Sequence, residues 1–102
     1  MQAITPCLSL DEVRQQIDRL DRQLLALVGE RSAYVAQAAA FKKDRAEVAA
    51  PQRVEQVISR LCAMAKDYGA PPEVVEATWR AMIAAFIRFE QQTHSSLPAP
   101  SP

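Results

Sequence analysis

Glycine, cysteine and histidine are scarce in this 102-residue chain, at two, two and one residues. Two glycines cannot build the glycine-rich loop that cradles a phosphate. Cys7 and Cys62 have no CxxC spacing, and His94 is the single imidazole, so neither a disulfide nor a zinc site is expected. No Ser/His/Asp nucleophile set is present either. Net charge is also lacking. Twelve basic and twelve acidic side chains cancel, and no lysine/arginine run stands apart from acids, which disfavours broad binding to nucleic acid or to an anionic membrane. No apolar stretch approaches the length of a membrane span, and residues 1–11 lack the basic start and apolar core of a signal peptide. We therefore expect a cytoplasmic protein that uses no metal, cofactor, nucleic acid or membrane. There is no strand alternation and no internal repeat.

What the chain does have is 49% hydrophobic content, laid out at helical spacing. Ser9 followed by Glu12 is a capping box, and from Leu10 to about Lys43 there is no proline and only Gly29 to weaken a helix. Ala50-Pro51 opens a second helix with the stripe Val54, Val57, Ile58, Leu61, Met64 and Ala65, stopped by Gly69. Pro71 and Pro72 open a third, with the stripe Val75, Trp79, Met82, Ile83, Phe86 and Glu90. The expected class is all-α, a three-helix protomer with one very long N-terminal helix. Residues 1–8 form a leader, 9–94 the helical domain and 95–102 a tail too poor in apolar side chains to fold. Trp79, Phe86, Phe89 and Tyr34 are expected in the core, and His94 in solvent.

Along the first helix Val13, Ile17, Leu20, Leu24 and Leu27 recur as a heptad seam that continues through Arg31, Tyr34, Ala38 and Phe41. Arg31 sits where a leucine belongs. A guanidinium there costs several kcal/mol of desolvation unless an anion or acceptor meets it. About 34 helical residues would span about 50 Å, whereas a compact chain of this size has a diameter of only about 35 Å. The seam would be covered if two copies paired as an intertwined homodimer.

Lys42 falls eleven residues after Arg31, within about 20° of the same helical face and roughly 16 Å away, with small Ala38 between them. The two cations could reach one cavity from its ends. Arg14 is about 25 Å from Arg31 along the helix and could serve the same site only from a partner chain. Each residue also has a plainer explanation. Arg31 could pair with a seam-flanking acid such as Glu30 or Asp21 of a partner chain, Lys42 could be a solvated cation favouring a helix C-terminus, and Arg53 could simply lie on the surface. Arg14 could pair weakly with Glu12 or Asp18, and Glu90 could snorkel from its stripe.

The segment VRQQIDRLDRQLLALVGERSAYVAQAAAFK, with arginines at 14 and 31 and lysine at 42, resembles the long first helix of the all-helical chorismate mutases. APQRVEQVI and MIAAFIRFEQQ resemble the second and third helices of that family, so the similarity covers roughly residues 9–93. FKKDRAEVAAPQRV is most similar to the branch that contains the isochorismate-pyruvate lyases. The resemblance implies that Arg31 binds a substrate carboxylate, joined by Arg53 and by Arg14 reaching across from a partner chain. It implies that Lys42 donates to the ether oxygen and a carboxylate, and that Glu90 faces that oxygen where many members have glutamine. Ala38, Phe86 and Ile87 would complete the binding surface. Two positions depart from the mutase pattern. Ala50 stands where an aspartate is frequent, and Phe86 where a serine is common.

Taken together, the residues and the resemblance predict a chorismate mutase with Lys42, Glu90 and Arg31 as catalytic groups. The alternatives are an isochorismate-pyruvate lyase and a non-catalytic helical module for ligand binding or dimerisation.

Overall fold

The computed structural model describes residues 4–95, with side chains as far as Thr93. Four α-helices succeed one another: α1 (Leu10–Ala39), α2 (Arg45–Ala49), α3 (Pro51–Ala65) and α4 (Pro72–Ser95), with a 3-10 turn at Lys66–Tyr68. Among the described residues there is no strand. The three long helices are the expected ones, and α2 is a short addition. The chain divides into two compact units, Met1–Tyr34 and Val35–Pro102.

The first unit is the leader and the beginning of α1. Its entry is capped as expected, with the Glu12 N–H donating to Ser9 Oγ at 3.1 Å. The reciprocal half of the cap is shifted by one residue, because the Glu12 carboxylate accepts from the Leu8 N–H at 2.6 Å rather than from Ser9. The five apolar side chains from Val13 to Leu27 on the seam are exposed, Leu24 by 57% and Leu27 by 60%. Tyr34, expected in the core, is exposed as well. It continues the seam, and a single helix has no second surface to cover it.

The second unit builds its own core. Val48, Ile58, Ala65, Val75 and Ile83 are buried together with Ala39, and α3 packs along α4. The stripes of α3 and α4 face inward as their spacing predicted, except that Met64 is exposed, and Phe89, expected in the core, is exposed too. Phe89 instead meets Phe86 edge to face, with ring centroids 6.1 Å apart. Such pairs are favourable without full burial. Trp79 and Phe86 are half-buried. Across the outside of α3 and α4, Arg80 donates two parallel bonds to Glu55 at 3.0 Å and one to Glu76 at 3.1 Å. The hydrogen bonds and then the charge of Arg80 hold the Glu55 carboxyl below the usual carboxylate range.

Helix boundaries reflect local chemistry. Pro51 takes the first position of α3, where its missing N–H costs nothing. The turn after α3 closes on Gly69 at φ 69°, with the Ala70 N–H donating to Ala65 O at 2.9 Å. That left-handed position suits glycine. Ala50 adopts φ 35° directly before Pro51, a left-handed conformation that few non-glycine residues take. The helix expected to run to about Lys43 ends at Ala39. The N–H groups of Ala40, Phe41 and Lys42 bond only three residues back, and Asp44 then caps a new helix through the Glu47 N–H at 2.8 Å. Lys42 therefore lies outside α1, and counting 100° per residue from Arg31 does not locate it. Of the expected tail, Ser95 closes α4. Residues 96–102, residues 1–3 of the leader and the His94 side chain lie outside the described residues.

Candidate active site

Among the described residues α4 carries one buried charge. Glu90 continues the apolar row Val75, Trp79, Ile83 and Phe86, and only 5% of its surface is exposed. A carboxylate there costs several kcal/mol of desolvation unless a cation and hydrogen bonds meet it. Lys42 supplies both. Its Nζ donates to Glu90 Oε1 at 2.9 Å and to Oε2 at 2.6 Å, with about a quarter of the lysine side chain open to solvent. Lys42 arrives from the turn between α1 and α2, not from a helix. Such a turn lets a side chain point at a neighbouring helix, whereas a helix would fix its direction.

Next to this pair α4 makes a second contact with the same connection. Gln91 Nε2 donates to the Arg45 carbonyl at 3.3 Å, and its Oε1 accepts from Arg45 Nη2 at 3.4 Å. Between Lys42 and Arg45 the Lys43 N–H donates to Glu47 Oε2 at 3.0 Å, completing a reciprocal cap with Asp44. Arg45, Gln91, Asp44 and Glu47 were not among the residues singled out by sequence. Asp44 and Glu47, three apart, were a readable capping signal. The pairing of residues 45 and 91 was not readable, since nothing local marks it.

Of the candidate site residues, the structure brings Lys42 and Glu90 together. Ala38, Phe86 and Ile87 are half-buried in the same unit. Arg53, exposed in the first turn of α3, lines an open hollow of about 430 Å³ with Ala50, Pro51, Gln52 and Gln56. The lining of that hollow includes neither Lys42 nor Glu90. In the first unit Arg14 is exposed on α1, and Arg31 is half-buried with its Nη1 shielded from solvent. Cys7 and Cys62 are free thiols. Among the described residues no group of three or more His, Cys, Asp and Glu could hold a metal ion, and no helix is long and apolar enough to cross a membrane.

The last helix thus buries a carboxylate that is met by a lysine from the connection after the first. The chorismate mutase type II family matches residues 13–91, and the chain belongs to that family. It is therefore a member of an enzyme family of chorismate mutase type. The isochorismate pyruvate lyase of Pseudomonas aeruginosa is 30% identical over 94 residues, covering 88% of this chain and 93% of that protein.

Proposed function

We propose that the protein is a cytoplasmic chorismate mutase that rearranges chorismate to prephenate in sites shared between two copies of the chain. The rearrangement breaks the ether C–O bond as a C–C bond forms, with no nucleophile or obligatory proton transfer. The protein has to hold the compact diaxial conformer and stabilise negative charge growing on the ether oxygen. Cationic clamps do both.

The observation that carries this reading is the Lys42–Glu90 pair. Glu90 meets Lys42 with two oxygens, as a substrate carboxylate and ether oxygen would. When substrate takes over the ammonium, Glu90 faces an oxygen gaining negative charge. An ionised Glu90 would repel it, and a protonated one can donate a hydrogen bond. Arg31 and Arg53 bind the carboxylates, with Arg14 contributed by the partner chain. Ala38 leaves room for the ring, and Phe86 and Ile87 supply its apolar wall. The partner is supported by the exposed seam of α1.

A second activity belongs in the same assay, because the relative from Pseudomonas aeruginosa is named a lyase and Ala50 and Phe86 leave the mutase pattern. Elimination of pyruvate from isochorismate needs the same clamps, with a ring hydrogen passing to the leaving enolpyruvyl group as the C–O bond breaks. Incubation with chorismate and, separately, isochorismate tests both. Prephenate from chorismate supports the mutase, and salicylate plus pyruvate formed faster from isochorismate replaces it with the lyase. Turnover of neither substrate leaves a binding or dimerisation module and refutes the enzyme.

A further inference from the structure

The position of Lys42 is not inherited from α1, because its N–H closes the end of that helix with a 3.3 Å bond to Ala39 O. The segment just after Lys42 is more firmly built. Asp44 accepts from the Glu47 N–H and Glu47 accepts from the Lys43 N–H, tying residues 43–47 together immediately after Lys42. Two adjacent residues of α4 then hold this segment. Glu90 takes Lys42, and Gln91 takes Arg45. Val48 is buried at the far end of α2, so Gln91 secures the end nearest Lys42. One of its two bonds goes to the backbone carbonyl of Arg45 and does not depend on that residue's side chain.

The two attachments differ in what substrate does to them. A bound anion competes with Glu90 for Lys42 and dissolves the ionic one. The bond from Gln91 to the Arg45 backbone carbonyl involves no charge and is not open to that competition. We propose that Gln91 is a positioning residue for Lys42, holding the start of α2 against α4 so that the ammonium stays aimed when its pair with Glu90 gives way. The proposal rests on Lys42 being the cation that meets the ether oxygen.

Steady-state kinetics of Gln91→Ala, Lys42→Ala and the double variant, together with hydrogen exchange at the amides of residues 43–48, test it. Gln91→Ala should lower kcat by about 5- to 10-fold, the worth of one or two weak hydrogen bonds, with a smaller change in KM. In the Lys42→Ala background the same substitution should cost nothing further, because the group it positions is gone. Exchange at residues 43–48 should accelerate in Gln91→Ala while α3 is unaffected. Arg45→Ala, which removes one of the two bonds, should give a smaller loss with the same dependence on Lys42, and it replaces Gln91→Ala if that variant does not fold. Equal losses with and without Lys42, or unchanged exchange, would overturn the assignment. If the wild-type chain turns over neither substrate, the enzyme reading falls while exchange still decides whether Gln91 holds the segment.

Discussion

The two units of this chain use their apolar residues in opposite ways. Residues 35–95 fold α3 and α4 around Ile58, Val75 and Ile83, and tolerate a buried Glu90 because Lys42 meets it. Residues 10–34 place five large side chains in one row and leave all of them in water. Covering that row would contribute roughly 5 kcal/mol, given about 1 kcal/mol for each half-exposed side chain. The carboxy-terminal unit covers its own apolar rows, whereas the amino-terminal one leaves its row exposed, as the proposed pairing of two copies requires. Their cations differ in setting as well. Lys42 is held on a buried carboxylate of its own unit, while Arg14 and Arg31 lie on the helix whose apolar row is uncovered.

The largest effect should come from the carboxy-terminal unit. Lys42→Ala is expected to lower kcat by about 100- to 1000-fold, or about 3–4 kcal/mol, with a far smaller change in substrate affinity, since its charge matters most in the transition state. A change confined to KM would make Lys42 a binding contact. Next is the amino-terminal unit. If α1 needs a second copy, dilution should lower the melting temperature, and Leu24→Arg should lower it further at fixed concentration by burying an unpaired charge. A concentration-independent melt with a monomer in sedimentation would break the contrast between the units.

A smaller effect is expected at Glu90. Glu90→Gln, permanently neutral and of similar shape, should stay within about tenfold of wild type, because its amide can still donate to the ether oxygen. Loss of nearly all activity in the glutamine variant would assign Glu90 an anionic or structural role. Smallest is Gly29→Ala. Nothing lies within 4 Å of where its Cβ would stand, so the change should stabilise α1 by about 1 kcal/mol in thermal melts. Destabilisation would mean that another surface closes on Gly29 in solution.

Much of the fold is legible in the sequence where punctuation is local. Ser9 with Glu12, Pro51, Gly69 and Pro72 each mark a boundary through their own backbone chemistry, and the stripes of α3 and α4 identify the buried face. The end of α1 is harder. Its apolar pattern continues through Phe41, but the Asp44–Glu47 cap starts a competing helix, and the chain turns at Ala40 instead. Periodicity also shows which face is apolar without saying what covers it, which is why Tyr34 was expected inside and is exposed. At the site, Glu90 stood out because an acid ended an apolar row. Gln91 and Arg45 did not, since a long-range contact between two ordinary polar residues leaves no trace in spacing.

Mixing two inactive variants tests the shared site most directly. Arg14→Ala and Arg31→Ala should each be nearly inactive alone. After subunit exchange, each mixed pair would join the intact Arg31 of one chain to the intact Arg14 of the other, leaving one working site of two. An equal mixture should recover about a quarter of wild-type turnover of chorismate, because about half of the pairs are mixed. Exchange demonstrated with mass-labelled chains but with no recovered prephenate formation would contradict a site built across two copies.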